Sequence, residues 1–168
     1  MESVTRNNES LKNDLINSIS GYEGYGIQKS RCQSDRRLRE FLSEKLLQIE
    51  KNLSDFEHHY YQHHKNANLD PFHRISLSLR MLIQSIKEPS SNESQFFSQS
   101  KVEQGKVSQL YEYDIQLKNQ VDILAEEAKE LNDINGEFEV EDMLNHLYDL
   151  IDGANQTLSE REFLMMSE

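Results

Sequence analysis

The feature that most constrains the fold is a hydrophobic repeat between residues 107 and 131. Its positions are Val107, Leu110, Asp114, Leu117, Val121, Leu124, Ala128 and Leu131. They recur at steps of three and four residues, which places them along one face of an α-helix. A stripe this long and narrow is typical of helices that pack lengthwise, as in coiled coils and bundles. One position, Asp114, carries a carboxylate where the pattern favours a hydrocarbon.

The same spacing recurs along the chain and predicts further helices. The predicted helices cover residues 9–20, 28–65, 70–87, 96–131 and 138–166. Asp70 and Pro71 are typical of a helix start, and Pro89 ends the preceding helical pattern. The chain has only two Pro and six Gly, fewer turn residues than sandwiches or barrels need. We therefore predict an all-α fold, an elongated antiparallel bundle of about five helices.

The chain length suits one domain. We expect residues 1–8 to form a frayed polar N-terminus and residues 9–168 to form a single helical-bundle domain. The polar segment 88–94 is predicted to be a disordered loop.

The last predicted helix contains one weak point. Its hydrophobic phase is unbroken across Asp152 and Gly153, so we predict a continuous helix to about residue 166. The alternative is a break at Asp152-Gly153, with Thr157 and Glu160 opening a new helix as a capping box.

Charge is distributed unevenly along the chain. The net charge is −12, and residues 103–168 carry 4 Lys and Arg against 17 Asp and Glu. An acidic chain repels nucleic acid and anionic membranes, which argues against both as partners. No apolar run is long enough to cross a bilayer, no signal-peptide core is present, and the single cysteine, Cys32, permits no intrachain disulfide. We expect a soluble cytoplasmic protein.

A second pattern begins with a glycine-tyrosine turn. The order is Gly21-Tyr22-Glu23-Gly24-Tyr25, then basic residues, then Asp35-Arg36-Arg37-Leu38-Arg39 and a leucine repeat. This order resembles an uncharacterised all-helical family with a Gly-Tyr-x-Gly-Tyr turn followed by an Arg-rich Asp-x-x-Leu-Arg helix. The resemblance covers about a quarter of the chain. It implies a helical bundle, and it implies no activity or catalytic residue.

Asp114 is the most informative polar residue, because a carboxylate buried alone costs several kcal/mol. It therefore needs a partner, and the sequence offers Arg36, Arg37 or a tyrosine hydroxyl. We predict a polar contact that fixes the register of the second helix against the fourth. The Tyr22 and Tyr25 turn is also a candidate interaction site.

Histidines near the end of the second helix are the weak candidates for a metal site. His59 and His63 are four residues apart on one helix face, and Asp55 precedes His59 by four. A zinc site needs three or four converging ligands, and no cysteine lies near these histidines. We therefore expect these histidines to lie at a solvated helix end and to bind no metal and no cofactor.

The sequence offers no convincing catalytic group, since Cys32 has no histidine near it along the chain. The function is unknown from sequence, and the leading hypothesis is a noncatalytic bundle that acts through protein–protein contact. Its partner is either an unidentified protein or a second copy of the chain. The alternative is a bundle that binds a small ligand or metal at the His59/His63 end or at the Tyr22/Tyr25 turn.

Overall fold

The computed structural model describes residues 2–134 and 136–166, with only the backbone described for residues 2–7. The helices in this part of the chain are α1 (Glu2–Ser18), α2 (Gln28–His63), α3 (Asp70–Lys87), α4 (Ser91–Ser98), α5 (Gln104–Glu130) and α6 (Glu137–Met166). A 3₁₀ turn, Leu131–Asp133, follows α5, and no strand occurs among the described residues. The all-α fold class is confirmed. Met1, Asn135, Ser167 and Glu168 of the predicted domain ranges lie outside the described residues.

Four long helices form a ring in the order α2, α3, α6, α5. Helices α2 and α3 are antiparallel. Arg39 near the start of α2 donates to the carbonyl oxygen of Ile86 at the end of α3, at 2.9 Å. Further along α2, Glu50 accepts a hydrogen bond from Arg80, which is earlier in α3.

Contacts between side chains show that helices α5 and α6 are antiparallel as well. Asp114 in α5 accepts from Arg161 near the end of α6, whereas Glu127 near the end of α5 contacts His146 early in α6. Consequently the starts of α2 and α5 and the ends of α3 and α6 lie at one end of the bundle. We call this end the network end.

Helix α4 crosses the network end. It follows α3 and precedes α5, two helices on opposite sides of the ring, and it contacts α2 and α6. Ser90 and Glu93 form a capping box at its start, and Phe96 and Phe97 are buried beneath it.

The predicted helix over residues 96–131 is therefore two helices. Residues 99–103 leave the helical conformation, because the chain turns there from α4 into α5. The predicted disordered loop at 88–94 is wrong for its second half, since α4 begins at Ser91. Helix α1 begins at Glu2, so the backbone of residues 2–8, predicted to be frayed, is helical.

The hydrophobic repeats of the helices, which we call seams, form the core. The positions of the 107–131 repeat are all buried. The seams of α3 and α6 are buried as well, and they are Phe72, Ile75, Leu79, Leu82 and Ile86 in α3 and Val140, Leu144, Leu147, Ile151, Ala154 and Leu158 in α6. Only Phe56 is partly exposed in the seam of α2, which is Leu38, Leu42, Leu46, Ile49, Leu53, Phe56 and Tyr60. Helix α6 runs without interruption from Glu137 to Met166, as predicted, rather than breaking at Gly153. None of the described helices is both long and apolar enough to span a membrane.

The glycine-tyrosine turn connects α1 to α2 and depends on two glycines. Gly21 and Gly24 have φ angles of +76° and +86°, a region that residues with a side chain rarely adopt. A Cβ atom on Gly24 would lie 2.6 Å from the hydroxyl oxygen of Tyr111, which is too close. Gly26, two residues later, has an ordinary φ angle and open space around it.

We predict that Gly24→Ala destabilises the protein by about 2–4 kcal/mol, from the combined left-handed strain and steric clash. Gly26→Ala is the matched control and should change the free energy of unfolding by less than about 1 kcal/mol. Urea denaturation followed by circular dichroism measures both values. Equal effects of the two substitutions would contradict the assignment of the turn.

Candidate functional site

An arginine lies at the centre of the network end. Arg161, near the end of α6, is the largest fully buried side chain, at 1% exposure. Its guanidinium Nε donates to Asp114 at 2.7 Å, Nη1 to Glu93 at 3.1 Å, and Nη2 to Asp35 at 2.6 Å. Because these carboxylates belong to α5, α4 and α2, one side chain connects four helices.

A second buried arginine completes the cluster. Arg39 in α2 donates to Asp35 at 2.9 Å and is also paired with Glu93. We call Asp35, Arg39, Glu93, Asp114 and Arg161 the charge network. Each carboxylate oxygen in it accepts at least one hydrogen bond, and Glu93 also accepts from the backbone N–H of Ser90. Such saturation is what allows charges to be buried without a large net cost.

The tyrosines of the glycine-tyrosine turn cover one side of the network. The Tyr25 hydroxyl donates to Asp114 at 2.5 Å and accepts from Arg161 at 3.2 Å, and the Tyr22 hydroxyl donates to Asp114 at 3.3 Å. The Tyr25 ring stacks on Tyr111 and on Phe97. Tyr22 and Tyr25 are 3% and 0% exposed, so this turn presents neither ring to an outside partner.

Burial and charge shift the ionisation of these groups. Burial raises the pKa of Asp114, although Arg161 and Tyr25 act to lower it. Burial alone lowers the pKa of Arg161, but the Asp114 and Asp35 carboxylates outweigh it and hold that pKa well above its usual value. Burial, reinforced by Asp114, raises the pKa of Tyr25 well above its usual value.

The structure corrects the predicted partners of Asp114. Arg36 and Arg37 lie on the outer side of α2, and both donate to Glu40 instead. The side chain of Arg36 is 79% exposed, and a pair at such a site is worth at most about 1 kcal/mol. Asp114 meets two tyrosine hydroxyls, a type of partner that the sequence suggested, and Arg161, which it did not.

Sequence patterns contained signals for most of the missed residues. Arg161 lies three residues after Leu158 and continues the seam of α6. Asp35 lies three residues before Leu38 and continues the seam of α2 in the other direction. A charged residue at a seam position predicts a buried ion pair when another helix carries a residue of opposite charge at one of its own seam positions. Glu93 had a different signal, the Ser90-x-x-Glu93 capping box.

The network is arranged for structure rather than for chemistry. Its acids and bases are directed at one another, and the three carboxylates and two arginines leave no acceptor oxygen free. A general base or nucleophile needs an unshared site that faces a substrate. What this arrangement does is hold α2, α4, α5 and α6 in one relative position.

The two candidate metal ligands, His59 and His63, lie at the end of the bundle opposite the network end. His59 and His63 have ring centroids 4.5 Å apart, and His63 Nδ1 donates to the carbonyl oxygen of His59 at 2.9 Å. Asp55 is exposed on the same helix. In the described part of the chain, no three His, Cys, Asp or Glu side chains group closely enough to hold a metal ion.

Comparison with protein-family models, with curated proteins and with solved structures finds no match for this chain. What the chain does must therefore be inferred from its own residues.

Alkaline titration should reveal the buried phenols. The pKa values of Tyr22, Tyr25, Tyr60 and Tyr111 are raised, chiefly by burial. A raised pKa stabilises the folded state below the pKa of the unfolded chain, about 10 for tyrosine, and that stability is lost as pH rises above it. We therefore predict that stability falls above about pH 10, and that a large part of the tyrosinate absorbance develops only as the helices unfold.

The measurement is a pH titration that follows tyrosinate absorbance and helical circular dichroism together. Tyr25→Phe should remove amplitude only from the phase that coincides with unfolding. If the full absorbance change, equal to that of the chain in urea, develops while the helical signal is intact, the buried phenols are not protected.

Proposed function

We propose that this chain is a noncatalytic helical bundle that acts through protein–protein contact. The proposed contact surface is the outer side of α6, and the proposed partner is a protein that presents a basic, partly apolar segment. The support comes from how the chain uses its charges: the five charges of the charge network are buried and paired with one another, whereas a row of carboxylates on α6 faces outwards.

The observation that carries the proposal is a pair of exposed phenylalanines with carboxylates between them. Phe138 and Phe163 are 78% and 71% exposed, which is unusual for rings of this size. Four of the exposed carboxylates between them lie on the same side of the helix as the two rings: Asp142, Asp149, Asp152 and Glu160. We call these six residues the outer face of α6.

Helical spacing places the outer face on one side of α6. Its residues follow one another at steps of four, seven, three, eight and three, which are all close to whole turns of an α-helix. From Phe138 to Phe163 the stripe is about 37 Å long at 1.5 Å per residue. It lies opposite the buried seam that includes Leu144, Leu147 and Ile151.

Charge complementarity supports a basic partner. Among the side chains of residues 8–134 and 136–166, none forms an ion pair with the four carboxylates of the outer face. A basic partner would neutralise them, and electrostatic attraction would accelerate its association at low salt. The two rings would supply the apolar anchors that protein interfaces favour.

A cytoplasmic location belongs to the same proposal. Cys32 is exposed and is the single cysteine of the chain, so it has no intramolecular disulfide partner. Exposed free thiols suit a reducing compartment better than an oxidising one.

The proposal predicts that substitution of both phenylalanines removes partner binding without unfolding the chain. We expect Phe138→Ser with Phe163→Ser to reduce capture of the partner from source-cell extract at least tenfold, a change that corresponds to about 1.4 kcal/mol. Raising the salt concentration should weaken capture by the wild-type chain. The melting temperature should stay within a few degrees of wild type, because both rings are exposed.

The matched control is Leu77→Ser with Met81→Ser. These two residues form an exposed apolar pair on α3, at 63% and 60% exposure, and neither belongs to the outer face. The control should leave capture unchanged. Equal loss in both double variants, or capture that ignores salt, would contradict the proposed face. If light scattering shows a dimer that Phe138→Ser and Phe163→Ser abolish, the occupant is a second copy rather than a basic partner.

A further inference from the structure

A groove lies beside the charge network, between α2, the end of α3 and α4. Its volume is about 390 Å³, which falls within the range of about 300–1,000 Å³ typical of small-molecule sites. None of the six residues of the outer face lines the groove. The groove is thus a separate surface from the one proposed for protein contact.

The floor of the groove is rigid and partly apolar. Phe97 and Arg39 line it and are 2% and 6% exposed. Phe97 is held by stacking on Tyr25, and Arg39 is held by its contacts with Asp35 and Glu93. A ligand therefore meets a preformed surface, which lowers the entropic cost of binding.

The rim of the groove carries cations whose charge is not fully used. Lys87 lines the groove at the end of α3 and, within the described residues, has no ion pair. Arg36 also lines the groove, on α2, and it bonds Glu40 through Nε at an exposed site. The two carboxylates in the lining, Asp35 and Glu40, are already hydrogen-bonded to arginines.

From this geometry we propose that the groove binds a small amphipathic carboxylate. The apolar body of the ligand lies against the Phe97 side of the groove, and its carboxylate is placed between Lys87 and Arg36. An apolar floor beneath a cationic rim selects against two other classes of ligand. A bare inorganic anion leaves the floor uncovered, and a neutral apolar molecule leaves the cations without a partner.

The single cysteine provides a direct reporter. Cys32 is exposed and lines the groove on α2. A ligand in the groove should slow alkylation of its thiol by iodoacetamide. Since the chain has no other cysteine, the rate measured by mass spectrometry belongs to this one site.

The test uses 2-naphthoate as the probe, with the full-length chain. We expect saturable protection of Cys32 and a binding isotherm with one site by calorimetry. Lys87→Gln should weaken binding about two- to five-fold, the effect of one exposed ion pair, and Lys87→Arg should restore it. Ser94→Trp, on the exposed α4 side of the groove, should abolish binding by filling the space, with helical circular dichroism unchanged.

The matched control is Lys129→Gln, an exposed lysine at the opposite end of the bundle, which should bind 2-naphthoate like wild type. Two further arms separate the ligand classes. Methyl 2-naphthoate, which lacks the charge, should bind more weakly than the acid and be insensitive to Lys87→Gln. Inorganic phosphate should give no protection.

Three results would overturn the proposal. The first is a rate of Cys32 alkylation that 2-naphthoate does not change. The second is binding that Lys129→Gln weakens as much as Lys87→Gln. The third is protection by inorganic phosphate equal to that by 2-naphthoate, which would indicate an anion site without apolar recognition.

Discussion

The fold depends on one buried guanidinium. Arg161 reaches from α6 to carboxylates on α2, α4 and α5, and no hydrophobic side chain could reproduce that set of directed contacts. Leucine seams bring helices together but tolerate sliding by a turn, because one apolar layer resembles the next. A hydrogen-bonded charge favours one partner geometry, and we propose that Arg161 favours one register of the helices in this way. Helix α4, a short element with few apolar residues, depends most on this selection.

The two ends of the bundle differ in how they are closed. At the network end, four helix termini, the short helix α4 and the glycine-tyrosine turn surround the charges, and the packed rings of Tyr25, Phe97 and Tyr111 exclude water. Exclusion of water strengthens the ion pairs and makes the loss of any one of them costly. At the opposite end, His59 and His63 of α2 are exposed, and the contacts there are between rings, with Tyr60 packed against Phe56, Phe72 and His64. The charge network makes the network end rigid, and the outer face of α6 is exposed. Both features are compatible with a rigid bundle that presents the outer face to a partner.

Periodicity alone predicted the helices because each seam is long and regular. The steps of three and four in α3, α5 and α6 identified the buried positions directly, and continuity of phase correctly predicted an unbroken α6. Two features were beyond its reach. Helix α4 has only two turns and thus too few positions to show a period, although its capping box was readable. The position of α4 between helices on opposite sides of the ring depends on three-dimensional packing that no local pattern specifies.

The site was only half predictable for a related reason. A carboxylate at a seam position, such as Asp114, indicates that a buried partner exists. The sequence does not identify that partner, because residues far apart along the chain can be adjacent in the fold. Arg36 and Arg37 were predicted as partners of Asp114 because they lie close in sequence to the tyrosine turn. Their positions on α2 direct them to solvent instead. Arg161 lies 47 residues away along the chain from Asp114 and is recognisable only once the seam of α6 is extended past Leu158. To predict buried ion pairs from a helical sequence, one should therefore first pair residues of opposite charge that occupy seam positions.

The central claim is that Asp114 and Arg161 are energetically coupled inside the core. A double-mutant cycle with Asp114→Leu, Arg161→Leu and the combined variant, measured by urea unfolding, tests it most directly. Arg161→Leu leaves three buried carboxylates to one arginine and should cost about 3–5 kcal/mol. Asp114→Leu leaves two carboxylates and two arginines, but it removes the acceptor of Arg161 Nε and of two tyrosine hydroxyls, and it should cost about 1–3 kcal/mol. The combined variant should cost less than the sum of the two single variants by more than about 1 kcal/mol. Additive effects, or an Asp114→Leu variant that is as stable as wild type with the same cooperative transition, would contradict it.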